Sequence, residues 1–310
     1  LVLSDHGKGY KGICWDERRD YDPESYVQPP DHLTLKNIRN VLQMFNTVRR
    51  KVDVVTLAAC GMSCFEMAVI FGQFTDYVVA SQLPTYPQHG LTTEKVLEHL
   101  NGYDWESYSP TPFQVSVDFV NGFMEESGGT QYDSSVCVIE TDHVQELADQ
   151  FNETMRSIRN SWDYLGECFS TAYDQTTRVP GPELGEFEQG DLKEFLVNLR
   201  EEVSSLILDP NARSVYNKLG DCIETYDEIV VYGHLIRGLN GMNLYMPMEP
   251  IPINLGIYSW DYLWILPFSN NYYVICLMYH SGLEYNPPED DDDFTPLDPV
   301  NSHIIDDDQD

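Results

Sequence analysis

The feature that most constrains this chain is a strand–helix alternation packed into residues 1–81. LVLS at 1–4 reads as the end of a short buried strand, and DVVTLA at 53–58 as a compact β-branched one. DYVVAS at 76–81 supplies a third. Between the first two, LTLKNIRNVLQMFNTVRR places Leu35, Ile38, Leu42 and Phe45 at helical spacing, with basic residues closing its last turn. CFEMAVIFGQF is the helical segment between the second and third. Strands separated by helices pair in parallel through crossovers. A parallel sheet gathers its chemistry at the C-terminal ends of its strands. Two of those ends carry reactive side chains, His6 in LVLSDHG and Cys60 in VVTLAACG.

The remaining pattern extends the same architecture. Helices are expected near 91–101 and 112–127, a strand at 135–140, and a long helix from Asp142, its expected N-cap, to about 164. Gly, Pro, Glu and Thr over 165–190 predict a long loop. Helices near 190–207 and 212–226 and a strand at 241–247 follow. The tail from 287 is rich in Asp and poor in apolar residues, which predicts disorder.

Charge narrows the partners. With 51 acidic and 18 basic residues the formal net charge is -33, which repels nucleic acid and anionic membrane. No apolar run approaches the length of a membrane span. The chain does not open with Met, which leaves room for an upstream signal sequence. The seven cysteines, at 14, 60, 64, 137, 168, 222 and 276, form no CxxC pair and sit mostly in apolar runs. That argues against zinc ribbons, thioredoxin-like chemistry and a disulfide framework.

On neighbouring strands, His6 and Cys60 would face one crevice. Imidazole beside thiol suits nucleophilic catalysis, because the ring maintains a thiolate and later protonates the leaving amine. The expected helix start directly after Cys60 would favour the thiolate through its dipole. Backbone N–H groups of Gly7 and Cys60 offer an oxyanion hole. Cys64, four residues on, is expected on the same helical face as a packing residue behind the nucleophile. His89 and His99 are rival bases, but neither ends a strand. Asp5 either orients the segment or serves the turn.

DHGKGYKG followed by DE, a strand ending AACGMS with Glu66 on the next helix, and DYVVAS together resemble the clostripain-like cysteine peptidase family. VCVIETDHVQELADQF, GDLKEFLVNL and GMNLYMP continue the match more loosely to about residue 250. The resemblance implies a caspase/gingipain-like three-layer α/β/α sandwich with a mostly parallel sheet, catalytic residues His6 and Cys60, and a peptide or protein substrate. It implies a catalytic core over 1–164, an extension of the same unit over 165–286 and an acidic tail over 287–310. It also points to a secreted or cell-surface location. Family members that cut after Arg or Lys carry an Asp two residues before the nucleophile; here that residue is Ala58, and SQLPTYPQHG supplies Ser81, Gln82, Gln88 and His89 but no carboxylate. Loss of a buried acid that pairs with guanidinium removes discrimination. The expected S1 pocket, near Ala58, Ser81 and Gln82, is therefore not strictly Arg/Lys-selective. The family fold also has strands ahead of the His strand, so a separate N-terminal light chain is a possible partner. Loop 18–31, with Arg18 and Arg19, is a candidate processing site. No cofactor is required by the dyad; calcium at Asp16, Glu17, Asp20 and Asp22 is a secondary reading. The alternative to a peptidase is an inactive caspase-like scaffold, or an acidic cation-binding surface with an incidental dyad.

Overall fold

A computed structural model describes residues 1–14, 32–48, 51–84, 93–103, 109–126, 135–179, 189–236, 238–247 and 272–280. Five strands form the central sheet in the order β1-β2-β3-β4-β7: β1 (Val2–Ser4), β2 (Val52–Ala58), β3 (Thr75–Ser81), β4 (Val136–Glu140) and β7 (Val230–His234). β1, β2 and β3 are parallel, while β4 is antiparallel to both β3 and β7. Four of the five strands therefore run one way and only β4 is reversed.

The pleat sends alternate side chains to opposite faces. Val78 and Ala80 of β3 join the larger core with α1 (Leu35–Val48), α2 (Phe65–Gly72) and α5 (Val144–Asn160). Val79 between them joins a smaller cluster with Phe119, Val120 and Phe123 of α4 (Pro112–Glu126) and Val96 of α3 (Thr93–Asn101). Helices thus cover both faces, as expected for a three-layer α/β/α sandwich. The larger core continues into α6 (Trp162–Gln175), α7 (Leu192–Ser204), α8 (Pro210–Ile229) and α9 (Tyr272–His280), without a break from Ile13 to Leu277.

A second, three-stranded antiparallel sheet, β5-β6-β8, comprises β5 (Arg178–Val179), β6 (Gln189–Asp191) and β8 (Asn243–Tyr245). A single bridge, Cys64 to Asn243, links it to the loop entering α2.

Two expectations need correction. The long helix from Asp142 is two helices, capped at His143 rather than Asp142 and interrupted at Ser161. The break lets Trp162 fold back, so that its ring lies against Gly166 and Phe169. The loop expected over 165–190 is helical to Gln175, because Leu165, Cys168, Phe169, Ala172 and Tyr173 form an amphipathic stripe that its Gly and Thr content obscured. Loop 18–31, the acid cluster at 16–22, His89 and the tail from 287 lie outside the described residues. No helix among the described residues is long and apolar enough to cross a membrane.

Candidate active site

The parallel β1–β2 pairing sets Val2 opposite Thr56, Leu3 opposite Leu57 and Ser4 opposite Ala58. His6 and Cys60 each lie two residues beyond the last paired residues, Ser4 and Ala58. Beyond β1 the chain closes a compact loop on itself. Lys8 N–H donates to Gly12 O (3.0 Å) and Cys14 N–H to His6 O (2.9 Å). These bonds flank the Gly7–Ile13 bridge, so Gly7 occupies its non-hydrogen-bonded position and its N–H takes no part in the loop's own ladder. Asp5 accepts from the His6 backbone N–H at 2.8 Å, a turn-forming role. The loop is fastened to the strand of chain before α1 by the reciprocal Ile13–Leu33 backbone pair.

Gly7 is the contact between the two segments. A Cβ there would lie 2.8 Å from Ala59 Cβ, Cys60 O and Met62 Cγ, so only glycine permits this approach. The main chain after His6 thus rests directly on the main chain that carries Cys60.

The cysteine turn is anchored differently. Gly61, at φ +63°, makes the left-handed step that β2 needs to leave the sheet. Its N–H donates to Leu83 O, and Ser63 N–H to Ser81 O. Ser63 O accepts from Asn243 N–H, and the Ser63 hydroxyl donates to Gly241 O. Cys60 itself is half-buried while Met62, Ser63 and Cys64 are buried. Gly61, Met62, Ser63 and Cys64 separate Cys60 from α2, whose N-cap is Cys64. This corrects the expected helix start. The dipole acts mainly within one turn, so it contributes little at Cys60, and Cys60 and Cys64 do not share a helical face.

The other thiols are held toward the protonated form. Burial raises all six above the ordinary thiol value, Cys137 and Cys222 to about 12 and Cys64 well up with added repulsion from Glu66. Cys14, Cys168 and Cys276 move the same way, each chiefly through burial. None of the seven cysteines forms a disulfide.

The remaining candidates separate. Ala58 ends β2 on the α3/α4 face, packed with Val79, Phe119, Phe123 and Val136. Ser81 and Gln82 are fully buried. Ser81 Oγ meets Ser135 O and Leu83 O, while Gln82 donates to Asp191 Oδ2 at 2.7 Å and accepts from Gly241 N–H at 2.9 Å. Their side chains are thereby committed to the frame beneath the site. His99 is paired with Asp118 and Glu125 of α4. Among the described residues no three metal-ligating side chains cluster.

Sequence reasoning missed the polar layer below the cysteine turn. Asp191, fully buried, accepts from Gln82, from Asn240 N–H and Nδ2, and from Glu194 N–H as the N-cap of α7. Asn243 donates to Gln82 O and to Gln189 Oε1. Only the Asp191 cap, in GDLKEF, has a local signal; the other contacts join residues 82, 189 and 243.

The clostripain family model matches residues 1–252. A secreted C11 cysteine protease from Bacteroides thetaiotaomicron, solved with an irreversible peptide inhibitor, superposes with TM-score 0.54 at 15% identity, covering 87% of this chain and 71% of its own. An inactive zymogen C11 protease from Parabacteroides distasonis gives TM-score 0.46 at 15% identity, covering 85% and 67%. A further structure of a secreted C11 cysteine protease from B. thetaiotaomicron, labelled iotapain, gives 0.49 at 13%, covering 79% and 65%. No individually curated protein matches. With four-fifths of its length under one family model, and a caspase-like sandwich built around a His loop and a Cys turn, this chain belongs to the clostripain family of cysteine peptidases.

Proposed function

We propose that the chain is an endopeptidase in which His6 and Cys60 form the catalytic dyad. The observation that carries this reading is the seating of Gly7 against the Cys60 main chain, just beyond the paired ends of β1 and β2. Thiolate Cys60 attacks the scissile carbonyl, and the N–H groups of Gly7 and Cys60 receive the oxyanion. His6 protonates the leaving amine as the tetrahedral adduct collapses to a thioester. Water, deprotonated by His6, then releases the acid and restores the thiol. The availability of the Gly7 N–H, outside its loop's ladder, supports the oxyanion assignment.

The S1 pocket does not require Arg or Lys. Ala58 replaces the expected acid within an apolar cluster. The three buried carboxylates among the described residues are engaged elsewhere: Glu66 by Tyr245 N–H, Asp118 by Tyr103 and His99, and Asp191 as above. Secretion, stated for the inhibitor-bound relative, is carried to this chain as part of the same proposal. The test is a peptide-library cleavage profile on wild type and Cys60→Ala. Cys60-dependent cleavage without a dominant basic P1 is expected. Absence of Cys60-dependent cleavage overturns the peptidase reading, and a strong Arg/Lys preference overturns the pocket reading.

A further inference from the structure

We propose that Gln189 is a positioning residue that clasps the His loop to the Cys turn from below, an inference that rests on the peptidase reading. Its side chain reaches both segments at once. A Cβ built on Gly9 would fall 1.8 Å from Gln189 Nε2, and one on Gly61 would fall 3.5 Å from Gln189 Oε1. One amide therefore lies beside both the loop that carries His6 and the residue that follows Cys60. Gly9, at φ +59°, is buried, and its missing side chain admits the amide.

The amide is itself held. Asn243 Nδ2 donates to Gln189 Oε1 at 2.9 Å and to Gln82 O at 2.8 Å. Asn243 is fully buried, yet its Oδ1 has no hydrogen-bond partner among the described residues. An orphaned buried acceptor is unfavourable, so Asn243 is a poor choice for stability alone. Its value lies in what its Nδ2 orients. The small sheet then has a task beyond covering the core: β6 and β8 present Gln189 and Asn243 to the dyad.

The clasp acts beside the other described links between the two segments, which include three β1–β2 residue pairs, the Gly7 contact and the approach of Gly9 to Gly61 O. A dyad displaced by about 1 Å loses on the order of 100-fold in rate.

The test compares wild type, Gln189→Ala and Gln189→Glu by steady-state peptide hydrolysis and by amide hydrogen exchange. Gln189→Ala should lower kcat about 10- to 100-fold with little change in KM, and Gln189→Glu, which keeps the reach and the bond from Asn243 but puts a carboxylate oxygen where the amide nitrogen meets Gly9, should recover part of it. Exchange should accelerate over residues 5–14 but not over β2 or α2. If Gln189→Ala does not fold, Gln189→Asn, one methylene shorter, carries the same expectations. Unchanged kcat with unchanged exchange over 5–14, or acceleration spread equally through β2 and α2, overturns the clasp. If wild type shows no Cys60-dependent hydrolysis, the peptidase reading fails separately. Exchange over 5–14 then decides the clasp, local acceleration supporting it and no change overturning it.

Discussion

The two loops that hold the dyad are stabilised in opposite ways. The Cys turn leaves an interior strand and is tied outward, to Ser81 at the end of β3, to Leu83 just beyond it, and to Gly241 and Asn243 beneath. The His loop leaves an edge strand of three residues and is tied mainly inward, through Lys8 to Gly12 and Cys14 to His6. Cys60 is therefore part of the frame, whereas His6 rides on a loop that folds on itself and is fastened to the frame through Ile13. Changes in the His loop should alter rate at little expense to stability, while changes under the Cys turn should alter stability first.

The largest effect tests the first half. His6→Ala should lower kcat by about 100- to 10,000-fold, the range for a lost general acid–base, with a thermal midpoint close to wild type. A large fall in the midpoint would break the comparison. Gly7→Ala follows, because its methyl group must displace Cys60 O, Ala59 or Met62. The N–H is kept but displaced, so a loss in kcat of up to about 100- to 1,000-fold is expected, the upper scale being that of a lost oxyanion donor, and steady-state kinetics beside a denaturation curve measure rate and stability.

Asp191→Ala tests the frame. It strips the acceptor from Gln82 Nε2, two Asn240 donors and Glu194 N–H together. A loss of about 2–4 kcal/mol in urea unfolding is expected, from unpaired buried donors and a lost helix cap. The smallest effect lies away from both loops. Burial against Tyr173 and Phe169 lowers the His280 pKa, outweighing the upward pull of Asp174. The folded protein then binds fewer protons than the unfolded chain, so this contribution is present above the ordinary imidazole value of 6.5 and is lost as pH falls below it. His280→Gln should flatten that part of the stability–pH curve without moving the pH profile of kcat.

The sandwich was legible, and His6 and Cys60 could be proposed, because both signals are written locally. Val54, Val55 and Leu57 announce β2 by composition, and the turn residues Gly7 and Gly61 flank the chemistry in sequence. α6 was misread because Gly166, Thr171 and Thr176 suggested a loop, although the stripe from Leu165 to Tyr173 carries the packing. β7 went unread because Val230 follows α8 without a turn signal. The Gln82–Asp191–Asn243–Gln189 layer was invisible for a deeper reason. Its hydrogen bonds span 54 to 161 residues, and no local propensity records which amide a folded carboxylate will meet.

The central claim is that Cys60, activated by His6, is the nucleophile. Peptide mapping by mass spectrometry after treatment with a peptide-based acyloxymethyl ketone reads this directly. One adduct per chain on Cys60 is expected, formed much more slowly in His6→Ala and absent in Cys60→Ala. An adduct on another cysteine, or labelling of Cys60 at the same rate without His6, would contradict the account.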